Sequence, residues 1–312
     1  MAGGDVMTGL EERLADYLMM RRALGYKLTH HARLLENFVG YLDDHGASWV
    51  SVELAVAWAT QPVEADPVWW AQRLSAVRSF ATHLRSLDAR TEVPPKDLLA
   101  QRAGRVAPHV YSHDEIAALI TAARNIHSPF KAATFEALIG LLAATGMRVG
   151  EAINLDVAEV DIDSAVVIVT NTKFGKSRAV PLHTSTATAL DAYAQQRRVR
   201  WPSPHTDSFF VSTVGTRLLH TNINAVFRKL VSDASIGHDG ERRPRPHDLR
   251  HSFAVRVLLG WYRDGEDVQA RLPSLSTYLG HTKPTSTYWY LSAVPELMAI
   301  VAERLEGSEE RS

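Results

Sequence analysis

The sequence predicts a mainly α-helical protein with one small β-hairpin, divided into two domains of which the second is α+β. Three observations lead there. Apolar residues recur at three- and four-residue spacing through most of the chain. That spacing is broken by a proline- and glycine-marked polar stretch near residue 100. Beyond it, two short β-branched runs flank a polar turn. The 312 residues suit two domains at about 150 residues each. An apolar fraction of 46% with 22% charged residues is that of an ordinary globular chain able to bury a core.

Only helices are expected in the first hundred residues. Leu34, Leu35, Phe38 and Leu42 share one face, with His30, Arg33 and Asn37 on the other side. A clearer apolar stripe follows in Trp70, Leu74, Val77, Ala81, Leu84 and Leu87, and Arg78, Thr82 and Arg85 form a polar stripe beside it. A basic stripe next to a buried one is what a DNA-facing helix needs, and it is equally what a solvated surface shows. Helical periodicity stops near Arg90. Pro94-Pro95, and then polar Gln101 to His109 with Gly104 and Pro108, mark the interdomain linker. The expected boundaries are 1–100 for the first domain, 101–111 for the linker and 112–312 for the second domain.

The second domain opens on Ser112-His113-Asp114-Glu115, a capping box ahead of Ile116, Leu119 and Ile120. Phe130 to Ala144 reads as an apolar helix ended by Thr145-Gly146. Val166-Val167-Ile168-Val169 and Ala179-Val180-Pro181-Leu182 read as the two strands of a hairpin. The turn Asn171-Thr172-Lys173-Phe174-Gly175-Lys176 joins them, with Lys173 near its tip. Helices dominate again from Thr221, and Pro246 suits the first turn of a helix through His247 to Ala254. A final amphipathic helix places Leu297, Ile300, Val301 and Leu305 on one face.

Composition excludes several classes. With no cysteine there are no disulfides, thiolate metal sites or cysteine nucleophiles. The mid-chain apolar stretch Ala137 to Met147 is too short to span a bilayer, and Met1 to Leu10 lacks the pattern of a secretory signal. The chain therefore reads as cytoplasmic, without a membrane partner. A net charge of −1 argues against a uniformly basic nucleic-acid binder. The bases cluster, however, as Arg197-Arg198-Val199-Arg200 and as Arg242, Arg243, Arg245 and Arg250. Clusters set the local field that a phosphate backbone feels.

The chemistry-bearing residues are arginines, histidines, a lysine and tyrosines. Arg148 sits between Gly146 and Gly150 at the break after the apolar helix. His247 and Arg250 are three apart on one helix, hence on one face. His281 follows Gly280, and Tyr288-Trp289-Tyr290 comes soon after. This set suits a phosphodiester. Arginine grips non-bridging oxygens with a fixed fork, histidine moves protons near neutral pH, and lysine can protonate a leaving alkoxide. Tyrosine becomes a nucleophile only where its neighbours favour the phenoxide.

Taken in order, Gly146-Met147-Arg148-Val149-Gly150-Glu151, the hairpin with Lys173, His247-Asp248-Leu249-Arg250-His251, Leu279-Gly280-His281 and Tyr290 resemble the tyrosine recombinase (phage integrase) family. The resemblance covers essentially the whole chain. It implies a helical, core-type DNA-binding domain followed by a catalytic domain from about residue 109. It implies Arg148 and Arg250 as the two catalytic arginines, Lys173 as the proton donor to the departing 5′ oxygen, and His247 and His281 as the active-site histidines. Tyr290 matches the nucleophile, nine residues after His281. Lys176 shares the turn of Lys173, and Tyr288 lies two residues before Tyr290, without the family's spacing. Arg78, Arg85, Arg242, Arg243 and Arg245 are the expected DNA contacts.

The implied reaction is a transesterification through a 3′-phosphotyrosyl link, reversed by a 5′ hydroxyl of a partner duplex. It implies no nucleotide cofactor and no metal, because the arginines and lysine bring the positive charge. Double-stranded DNA is the implied partner, with self-association into a tetramer on it, the last helix docking on a neighbouring protomer, and room for accessory recombinases. Three other readings compete: a metallohydrolase using His247, His251 and His281, a catalytically silent DNA-binding regulator of the same fold, and a type IB topoisomerase-like relaxing enzyme.

Overall fold

The computed structural model describes residues 9–26, 28–99, 108–170, 177–203, 205–237 and 243–280. The chain divides into two compact units, Met1–Arg105 and Val106–Ser312.

Among the described residues the first unit holds four helices, α1 (Gly9–Ala23), α2 (Thr29–Asp44), α3 (Val52–Thr60) and α4 (Pro67–Arg85). Ser51 starts α3 by accepting the Leu54 amide at 3.2 Å. Asp66 starts α4 by accepting the Val68 amide at 2.8 Å, and Pro67 occupies the first turn, where a missing N–H leaves nothing unpaired. Leu35, Phe38, Leu42, Trp58, Leu74, Val77, Phe80 and Leu84 form a sealed core. Each such side chain contributes roughly 1.5–3 kcal/mol by leaving water. Arg73 lies on the buried side of α4, its guanidinium 3.8 Å above the Trp58 ring and donating to the Trp58 carbonyl at 2.6 Å. Leu87 departs from the expected stripe and is exposed. The helix has ended at Arg85, and the Leu87 amide turns back onto the Leu84 carbonyl.

The second unit is built around α6 (Pro129–Thr145), whose Phe135, Leu138, Ile139, Leu141 and Leu142 are buried. A helix apolar on most of its surface has to be enclosed. It packs with α5 (His113–Arg124), α8 (Thr184–Arg200) and α10 (Asp248–Arg263). The expected capping box is present on α5, where Ser112 Oγ accepts the Glu115 amide and Glu115 Oε2 accepts the Ser112 amide. After α7 (Val149–Asn154) comes an antiparallel sheet in the order β1 (Val160–Asp161), β2 (Val166–Val169), β3 (Arg178–Pro181). The predicted hairpin is thus the larger part of a three-stranded sheet, with Val167 opposite Val180 and Val169 opposite Arg178. Its third strand is two residues long, too short for an alternation to register in sequence. Leu182 falls just beyond β3. Among the described residues the unit also holds α9 (His220–Asp233) and α11 (Val268–Leu279), and α11 packs on α10 through Val255, Leu258, Leu272 and Leu275. The turn with Lys173 and the expected final helix lie outside the described residues.

Candidate active site

Two helix ends and one helix start meet in the second unit. α6 stops at Gly146, which takes φ +62°, a region a side chain resists. Two residues on, Arg148 is the N-cap of α7, and Glu151 in the first turn of that helix accepts the Arg148 amide at 3.0 Å. α11 stops at Gly280, with φ +67°. The carbonyls at the ends of α6 and α11 carry the negative ends of their helix dipoles, and arginines answer both.

Arg250 is 1% exposed. Its Nη1 donates to the Gly146 carbonyl at 2.9 Å and its Nη2 to the Leu279 carbonyl at 2.6 Å. Arg148 donates from Nη2 to the Gly280 carbonyl at 2.9 Å and from Nη1 to Glu151 Oε1 at 2.7 Å. The two arginines therefore hold consecutive carbonyls at the end of α11. The Leu279-Gly280 pair thereby delivers the chain to His281, which lies outside the described residues along with Lys173 and Tyr290.

His247 is the N-cap of α10, with helical φ and ψ, so it and Arg250 stand one turn apart as predicted. Its carbonyl accepts the Arg250 amide at 3.2 Å. Next to it, Asp248 is buried and accepts the Arg245 amide at 2.8 Å and Arg245 Nη2 at 3.1 Å. That pair clamps the turn ahead of α10. Burial, and then the charges of Arg250, Arg245 and Arg148, push the His247 imidazole down to about 4 against the opposing pull of Asp248. The residue as a whole is still exposed at the start of α10. His251, 4.8 Å from the His247 ring and edge-on to it, is pushed to about 4 by burial and then by His247. Both imidazoles are neutral at pH 7, and each can accept a proton.

Two residues join this site that sequence reasoning passed over. Glu151 receives hydrogen bonds from Arg148 and from Arg178, the first residue of β3; Arg178 Nη2 lies 2.7 Å from Oε2 and Nη1 3.2 Å from Oε1. Burial would raise the Glu151 carboxyl, but these donors hold it at about 2. The three-residue spacing of Arg148 and Glu151 was a readable signal; Arg178 carried none.

The expected DNA-binding arginines part company. Arg85 is exposed on α4 and Arg243 is exposed ahead of α10. Arg242 lies outside the described residues, and Arg245 is held by Asp248. Arg78 donates from Nε to the Pro94 carbonyl at 2.7 Å, and from Nη2 to the carbonyls of Pro95 at 2.7 Å and Lys96 at 3.4 Å. Its fork fastens the segment after α4 instead of standing clear. Among the described residues no three His, Asp or Glu side chains group as metal ligands, and the arginines around His247 and His251 oppose a divalent cation there. Among the described residues no helix is long and apolar enough to cross a membrane.

Residues 109–296 match the phage integrase family. The Sinorhizobium fredii protein that carries the name integrase/recombinase y4rB is 40% identical over 307 residues, covering 96% of this chain and 98% of its own. Tyrosine recombinase XerD of Caulobacter vibrioides is 31% identical over 295 residues, covering 91% of each. Among solved structures, the Tn1549 transposon integrase in complex with transposon right-end DNA superposes with a TM-score of 0.65. It shares 18% identity, with 96% of this chain and 100% of that one covered, and the likeness is one of fold.

Proposed function

The chain belongs to the phage integrase family of tyrosine recombinases, and from that premise we propose that it is a site-specific DNA recombinase acting through a covalent 3′-phosphotyrosyl intermediate. The observation that carries this reading is the convergence of Arg148 and Arg250 on the final carbonyls of α11. Two guanidinium groups at one spot can grip the non-bridging oxygens of a phosphodiester and stabilise the charge that gathers on them in the transition state.

In this mechanism the Tyr290 oxygen attacks phosphorus and the bond to the 5′ oxygen breaks. Lys173 supplies the proton that the departing oxygen takes up. His247, neutral in the free protein, takes up the phenol proton that Tyr290 loses, and His281 is the second histidine the family resemblance assigns to the reaction. A 5′ hydroxyl of a partner duplex then attacks the phosphotyrosine and releases the phenol. The phosphoester bond is conserved throughout, so no nucleotide is consumed. Arg85 and Arg243 contact the phosphate backbone outside the reacting centre. Exchange between two duplexes needs two active sites on each, hence a tetramer on DNA, with residues 294–305 docking between protomers.

The test is capture. The protein is incubated with fragmented genomic DNA, stopped in denaturant, and the covalently held DNA is sequenced. We expect one recurrent site attached by its 3′ phosphate, an adduct abolished by Tyr290→Phe and retained by Tyr288→Phe. Two marked duplexes bearing that site should exchange ends. Binding without any adduct would make the chain a silent regulator, and an adduct without exchange would make it a relaxing enzyme.

A further inference from the structure

Arg178 lies at the start of β3, 27 positions from Glu151 in sequence, yet it makes the more complete grip on that carboxylate. Its side chain is 14% exposed and that of Glu151 11%, whereas the Arg148 side chain is 37% exposed. The guanidinium also lies along Gly280: a Cβ there would approach Arg178 Nη1 to 3.0 Å and Arg148 Nη1 to 3.5 Å. Arg178 thus stands behind Arg148, on the protein side of it, against the same glycine.

The charges say what this arrangement does. Glu151 alone would cancel Arg148, and its two oxygens would offer Arg148 a bidentate partner in place of a phosphate. With Arg178 present, the trio carries one net positive charge. One donor of Arg178 occupies each Glu151 oxygen, and Arg148 keeps a single side-chain bond to the carboxylate while Nη2 reaches Gly280. We propose that Arg178 is a positioning residue for strand transfer: by neutralising and fixing Glu151, it leaves the charge of Arg148 available to the scissile phosphate. This rests on the recombinase reading above.

The experiment uses the full chain and a nicked duplex built from the captured site, and measures single-turnover adduct formation, duplex affinity and thermal unfolding. Arg178→Met should slow adduct formation by about 10²-fold, the scale of a misplaced catalytic group, while duplex affinity changes less than about threefold. Arg178→Lys should fall between it and the parent protein. The deciding variant is Glu151→Gln combined with Arg178→Met. Removing the carboxylate charge should restore at least about tenfold of the lost adduct rate, measured below the unfolding temperature of every variant, whereas a purely structural ion pair would recover the unfolding temperature and leave that rate unchanged. Should Arg178→Met not fold, the lysine variant and the double variant, in which no buried carboxylate is left short of a partner, carry the comparison. An adduct rate in Arg178→Met within about threefold of the parent, or no recovery in the double variant, would overturn the proposal alone. If the parent protein forms no adduct, the recombinase reading falls and this assignment with it.

Discussion

Arg250 reaches the Leu279 carbonyl across 29 positions of sequence, donating from Nη2 at 2.6 Å. With its other terminal nitrogen on the Gly146 carbonyl, one buried cation ties the ends of α6 and α11 together. The same two helix ends precede two of the proposed site residues in sequence, Arg148 after Gly146 and His281 after Gly280. The arginine proposed for catalysis is thus also a structural fastener.

Arg250→Lys therefore should not behave as a conservative change. A single ammonium cannot span both carbonyls with the geometry of a planar fork. We expect a loss of about 2–3 kcal/mol in urea unfolding, from one buried carbonyl left without its donor. Adduct formation should fall more steeply than that loss accounts for. Unfolding midpoints equal to those of the parent protein would show that the two carbonyls find other donors.

Gly146→Ala tests the same junction from the backbone. The added Cβ would lie 2.5 Å from Phe253 Cδ1, and φ +62° is itself unfavourable for alanine. Together these should cost about 2–4 kcal/mol. In a Phe253→Ala background, where Cγ and the ring are gone and the nearest Phe253 atom left is Cβ at 3.2 Å, the same change should cost about 1 kcal/mol, chiefly the backbone part. Equal costs in both backgrounds would remove the steric explanation.

Much of this was legible in sequence, and the gaps have physical causes. Periodicity located α4, which buries a continuous face, a mostly apolar run located α6, and the Ser112–Glu115 cap could be read because its partners are local. Arg148, His247 and Arg250 were legible as members of an ordered motif. Arg178 was not, because a single residue at the start of a short strand has no periodicity to betray it and its partner is far away in sequence. Arg78 was placed on the right side of its helix. That the Pro94 and Pro95 carbonyls fold over it depends on the path of the chain after the helix, which no helical pattern encodes.

Acid should weaken the second unit before it reaches the carboxylate range. His247 and His251 titrate near 4 in the folded chain against a usual 6.5, so the unfolded chain binds more protons between those values. Their contribution is complete above pH 6.5 and is lost as pH falls towards 4. Glu151, held at about 2 against a usual 4.5, adds its own loss only below that range. Urea midpoints taken across this span should fall steadily with acidification, and His251→Gln should flatten the slope. A flat profile down to pH 4.5 in the parent protein would mean the histidines are not held neutral.

The two α4 arginines should separate cleanly. Arg85 is exposed, so if it meets a phosphate its removal releases one fewer counterion on binding. Arg85→Ala should lower the slope of log affinity against log salt by about one unit and leave stability within about 0.5 kcal/mol. Arg78 is committed to the carbonyls of Pro94, Pro95 and Lys96. Proline has no N–H of its own to organise such a segment, so its fastening depends on an outside donor. Arg78→Ala should cost about 1 kcal/mol in unfolding and leave the salt slope unchanged. Both quantities come from one titration series on the captured duplex and one denaturation series. A salt slope that falls with Arg78→Ala but not with Arg85→Ala would reverse the assignment, placing the phosphate contact on a fork that must first release three carbonyls.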